Sequence, residues 1–134
     1  MTIAALQITS LVALTLPSTP DSARKARFYT RAALSYHHLS DYADDAETVT
    51  SELVTNAIAH AGSALLWLDI MHLGTGAVTV IVTDPSPRPP VKRDLPGDIE
   101  RGRGLHIVDA LSTAWGWRPR NPGKAVYAIL TREA

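Results

Sequence analysis

The sequence predicts an α+β fold, a two-layer sandwich of helices on a sheet. Three observations carry that prediction. Strand-length apolar segments come in neighbouring pairs around turn residues, 64–73 with 77–84 and 112–119 with 124–131, which is hairpin spacing. Two helical segments stand together between 21 and 61 instead of alternating with single strands. The 134 residues, 46% of them hydrophobic, suit one domain with one core.

The first strand is SLVALTL, residues 10–16, stopped by Pro17. A helix follows from a cap at Asp21 or Ser22 to about Leu39. Arg24, Lys25, Arg27 and Arg31 are interleaved with Ala23, Ala26, Phe28 and Leu34, giving it a solvated side. His37 and His38 fall near its C-terminus, where a partial positive charge suits the helix dipole. The second helix runs from about Asp44 to Ala61, with Gly62 as its terminating residue. ALLWLDIMHL and AVTVIVTD form a hairpin around residues 74–76, and Asp84 ends its second strand. The five prolines of 85–104 predict a loop of about twenty residues without regular structure. A short helix is expected over 105–111, then a closing hairpin turning at RNPG, 120–123.

Composition excludes several classes of function. Thirteen basic residues balance thirteen acidic ones, so there is no electrostatic footprint for nucleic acid or an anionic membrane. The absence of cysteine removes disulfides and thiolate metal sites. No apolar run reaches the ~18 residues of a membrane span. The apolar N-terminus lacks the basic region and cleavage site of a signal peptide. A cytoplasmic protein is therefore expected, with residues 1–9 as a short tail before a domain over 10–132.

Three constellations ask for chemistry. Glu52 and Asn56 stand one turn apart on the second helix, with His60 a turn further on. They read either as a solvated helix face or as a carboxylate beside a single oxygen ligand for magnesium, an ion that keeps waters and phosphate oxygens in its shell. Asp84 reads either as a strand-end turn residue or as a pocket carboxylate that accepts from an exocyclic amine. Gly102, Arg103 and Gly104 open the helix LHIVDAL. They read either as a hinge or as a phosphate-facing turn at a helix N-terminus. Arg88, Lys92, Arg93, Arg101 and Arg103 could screen a triphosphate there, and Asp94, Asp98 and Glu100 are mixed among them.

Taken in order, E-x-x-x-N on a helix, D-x-S-x-R-P-P after a strand and G-R-G-L-x-I-V before a helix resemble the ATPase domain shared by gyrase, histidine kinases and MutL, the GHKL or Bergerat fold. SELVTNAIAHA, VTDPSPRPP, GRGLHIVDAL and NPGKAVYAIL are similar to the motifs of small anti-sigma-factor serine kinases of the RsbW type. The resemblance spans roughly residues 10–132 and implies a mixed, largely antiparallel sheet covered by helices on one face. It also implies ATP and Mg2+ as cofactors. Glu52 would be the general base and Asn56 the metal ligand, also touching the nucleotide. Asp84 would hold the adenine amine with Ser86 close by, and Gly102, Arg103, Gly104 and Leu105 would form the phosphate-facing turn. The implied function is phosphorylation of an anti-sigma-factor antagonist, with a sigma factor as the other protein partner and a homodimer left open. Two departures bear on this: Ser86 stands where the family has glycine, and Lys124 and Ala125 stand where a threonine often helps to hold adenine through water. No dimerisation helix with a phosphoacceptor histidine precedes the motifs, so autonomous histidine kinase activity is not expected. A nucleotide-binding regulatory module without transfer activity, and a purely structural domain, are the alternatives.

Overall fold

The computed structural model describes residues 7–60, 62, 64–74, 76–90 and 99–132, with only the backbone described over 99–104. The elements follow the predicted order. They are β1 (Ile8–Pro17), α1 (Pro20–Tyr36), α2 (Ala43–His60), β2 (Leu65–Leu73), β3 (Ala77–Asp84), α3 (Ile99–Leu111), β4 (Ala114–Pro119) and β5 (Lys124–Thr131). One five-stranded sheet runs β1-β2-β3-β5-β4. Each described pairing in it is antiparallel.

Strand periodicity sets which face of the sheet is covered. Leu66, Leu68 and Ile70 on β2 alternate with Leu65, Trp67 and Asp69, and the even-numbered members are buried. Register then aligns the same parity on the next strands: Ile70 with Val80, Val80 with Ala128, Val82 with Val126. These residues meet Leu34 of α1, Val49, Leu53 and Val54 of α2, and Leu105 and Val108 of α3 in one core. Each large side chain so buried contributes about 1.5–3 kcal/mol. The helices thus occupy one face, and β1 and β4 are the edges. A register shift between Ser10 and Val12 interrupts the β1 edge and makes it a poorer template for strand addition.

The helix ends differ from the sequence expectation for local reasons. Thr19, not Asp21 or Ser22, is the N-cap of α1, because Pro20 occupies the first turn, where its missing N–H is not needed. Ser22 instead donates its hydroxyl to the Pro17 carbonyl at 2.6 Å. At the other end α1 stops at Tyr36 rather than Leu39. The N–H of Leu39 donates to Leu34 O and that of His38 to Ser35 O, with His38 at φ 60°. This is a Schellman termination with a histidine where glycine is usual, and Leu39 packs on the core beside it. Gly62 takes φ +63° just past α2, the conformation expected of it.

Helix α3 is the larger correction. It begins at Ile99, not Leu105, so Gly102, Arg103 and Gly104 lie within the helix instead of opening it. The last proline of the preceding run is Pro96. Beyond it nothing covalent blocks a helix, and each glycine only weakens one by about 1 kcal/mol. The loop of about twenty residues is correspondingly shorter, and its 91–98 portion lies outside the described residues.

Asp69 faces away from the helices, opposite Ala13 and Ile81, and its partial burial holds its pKa above the ordinary 3.8. Between the unfolded and the raised folded value the native state binds more protons, so this group's contribution to stability falls as pH rises. Asp69→Asn should therefore stabilise the protein at pH 7, and the gain should vanish below about pH 4 in urea titrations at each pH. His38→Gly should stabilise by up to about 1 kcal/mol, read from the urea midpoint at unchanged slope, because an L residue in the left-handed region is strained.

Candidate functional site

The site grows from the register of β3 on β5. That register pairs Asp84 with Lys124. Both occupy the parity that points to the helices, continuing the rows Val78-Val80-Val82 and Val126-Ala128-Leu130. A carboxylate and an ammonium are thereby carried into the covered layer, 1% and 5% exposed as residues. Lys124 Nζ donates to Asp84 Oδ1 at 3.0 Å and to the Ser86 carbonyl at 3.3 Å.

The chain after Asp84 wraps around the same carboxylate. The Ser86 N–H donates to Asp84 Oδ1 at 2.9 Å, and the Arg88 N–H donates to Ser86 Oγ at 3.3 Å. These are successive side-chain turns of the kind Asp and Ser favour. Ser86 does not take a positive φ, so serine stands in the usual glycine position without backbone strain. On the other side the RNPG turn closes tightly. Gly123 has φ +92°, and a Cβ there would stand 2.0 Å from the Asp84 carbonyl oxygen and 2.6 Å from Pro85 Cα. Only glycine fits that approach.

One atom of this cluster lacks a partner. Among the described residues nothing donates to Asp84 Oδ2, which is buried. An unmatched carboxylate oxygen inside a protein is costly and calls for a donor. A ligand N–H, such as an exocyclic amine, would supply one.

Glu52 and Asn56 are placed by α2. That helix has α1 on one side and α3 on the other. Arg27 of α1 donates to Ser51 Oγ at 2.9 Å, and Arg31 donates to Asp44 Oδ1 at 2.6 Å. These contacts mark the α1 flank. At ~100° per residue, Asn56 lies about 140° around the helix from Ser51, on the flank turned to α3. Glu52 sits on the crest between the two flanks, half-buried. It borders a hollow of 410 Å³ lined by Arg27, Arg31, Glu47 and Ser51. His60 is the last residue of α2.

Asp84 and Ser86 are therefore brought together, Glu52 and Asn56 share a stripe, and Gly102–Gly104 ride on the helix packed against α2. Leu105, expected at the phosphate-facing turn, is fully buried among core side chains. The side chain of Arg103 and all of Lys92 and Arg93 lie outside the described residues. Among the described residues no group of three or more His, Asp or Glu could hold a metal by itself, and no helix is long and apolar enough to cross a membrane.

Sequence reasoning missed Lys124 as a member of the site. Its signal was the strand alternation, which puts a lysine and an aspartate on the apolar face of neighbouring strands. Removing the ammonium leaves a buried carboxylate uncompensated, a change that typically costs about 3–5 kcal/mol. Lys124→Met should lose that much in urea unfolding, and Asp84→Asn added to it should recover part of the loss.

Comparison with known proteins points to one family. The profile of the histidine kinase-like ATPase domain matches residues 16–130. The chain is also 35% identical over 79 residues to an uncharacterized protein of Streptomyces coelicolor, an overlap of 57% of this chain and 75% of the relative.

Proposed function

The chain belongs to the histidine kinase-like ATPase domain family, and from that premise we propose that this ATP-binding regulatory domain is a protein serine kinase of the anti-sigma-factor type. The observation that carries the nucleotide reading is Asp84 Oδ2, without a partner among the described residues in a buried, ion-paired cluster. It accepts from the adenine amine. Asn56, on the α3 flank of α2, would supply one oxygen to a magnesium ion, whose charge would offset that of the phosphates. Arg103 serves the phosphates through its guanidinium, and Gly102 and Gly104, inside α3, put no side chain between the helix and the phosphates.

Glu52 stands one turn from Asn56, a rise of ~6 Å. It accepts the proton of a partner's serine hydroxyl as that oxygen attacks. Bound Mg-ATP supplies the γ-phosphoryl group, which passes to the serine oxygen while ADP leaves. The serine belongs to an anti-sigma-factor antagonist, and the sigma factor competes for the same domain, so that phosphorylation selects the partner.

A second reading, a nucleotide-binding module that acts by protein contact without transfer, is favoured by one observation. Glu52 borders the hollow that holds Arg27 and Arg31, a setting that could commit its carboxylate to a structural role.

Labelled ATP, magnesium and antagonist proteins encoded near this chain separate the two readings. Glu52→Gln should leave ATP affinity within about twofold and reduce serine labelling by 10²- to 10⁴-fold, roughly the range for a positioned base. Binding without any labelling by the parent protein would favour the second reading. Loss of binding and transfer to the same extent would remove Glu52 from the role of base.

A further inference from the structure

The buried base cluster carries an ammonium for which the proposed kinase chemistry has no use. We propose that Lys124 is a specificity-determining residue, donating directly to a ring nitrogen of the bound base, so that Lys124 and Asp84 together read the amidine edge of adenine. This rests on the nucleotide reading above.

The inference follows from counting donors and acceptors. A lysine ammonium has three N–H groups. Two are accounted for, by Asp84 Oδ1 and the Ser86 carbonyl. The third has no partner among the described residues. Beside it stands Asp84 Oδ2, an acceptor without a donor. The two open valences lie on side chains already in contact, within a cluster almost closed to solvent. Together they offer one acceptor and one donor side by side.

A ligand edge complementary to that pair presents one donor next to one acceptor. The 6-amino group and N1 of adenine are such an edge. Guanine presents O6, N1–H and the 2-amino group, one acceptor and two donors. The second of those donors would need another acceptor, and Asp84 Oδ1 is already taken by the Ser86 N–H and Lys124. A buried unmatched donor opposes binding. Hypoxanthine, with O6 beside N1–H, has the right number of groups in exchanged positions and would have to shift in the pocket. Lys124 thus does more than neutralise Asp84: its direct hydrogen bond to N1 makes base discrimination depend on a charged donor, which strengthens a hydrogen bond in a dry site.

The pair of ligands that isolates this contact is ATP and 1-deaza-ATP, which keeps the 6-amino group and replaces N1 by C–H. Calorimetric titration of the full chain with both, and with GTP and ITP, tests the assignment. The parent protein should bind 1-deaza-ATP at least tenfold more weakly than ATP, and GTP more weakly still. Lys124→Thr, checked for folding by circular dichroism, should bring ATP and 1-deaza-ATP to within about threefold of each other. Equal affinities in the parent protein would overturn the Lys124 contact while leaving adenine binding intact. Failure of the parent protein to bind any of the four would instead overturn the nucleotide reading, and the inference with it. If Lys124→Thr does not fold, the contrast between the two ligands on the parent protein decides alone.

Discussion

The ion pair between Asp84 and Lys124 is the constraint around which the base end of the site is organised. Charges in a protein interior are tolerated only when matched, because the loss of hydration exceeds what any single contact returns. Here matching uses three separate pieces of chain. Strand β3 delivers the carboxylate, β5 the ammonium, and the turn after β3 supplies the Ser86 N–H and carbonyl. The close approach at Gly123 clamps the β4–β5 turn onto the Asp84–Pro85 backbone. A shift of one residue in the register of β3 on β5 would put the two charges on opposite faces of the sheet, so the site and the sheet stand or fall together.

The pair also explains why the departures from the family pattern are tolerable. Serine in the glycine position costs no strain, and its backbone serves the carboxylate and the lysine at once. Lysine in the threonine position does not abolish a polar contact; it replaces a neutral hydroxyl with a cation that reaches Asp84 directly. What remains open in the cluster, one oxygen of Asp84 and one N–H of Lys124, is what the amine and ring nitrogen of a ligand would close.

Much of the architecture was legible in the chain itself. Period-two alternation in AVTVIVTD and KAVYAILT, turn residues at 74–76 and 120–123, and the apolar stripe of SELVTNAIAHA predicted strands, hairpins and α2 to within a few residues. Two of the local features that differ from the sequence expectation show why. Proline density in 85–96 was extended too far, hiding the first turns of α3. The C-terminus of α1 depended on a left-handed histidine, which local sequence does not announce because glycine or asparagine is the common residue there.

By itself the sequence determined the element order, the covered face of each strand and the identity of the motif residues, since these follow from local periodicity and residue chemistry. Only the tertiary structure decided which residues share a site. The order β1-β2-β3-β5-β4 sets β5 beside β3, so residues forty positions apart meet. It likewise put Leu105 in the core and Asn56 on the flank of α2 turned to α3. Such juxtapositions depend on register and on helix rotation, which are fixed when the whole apolar face is buried at once and are written in no single segment.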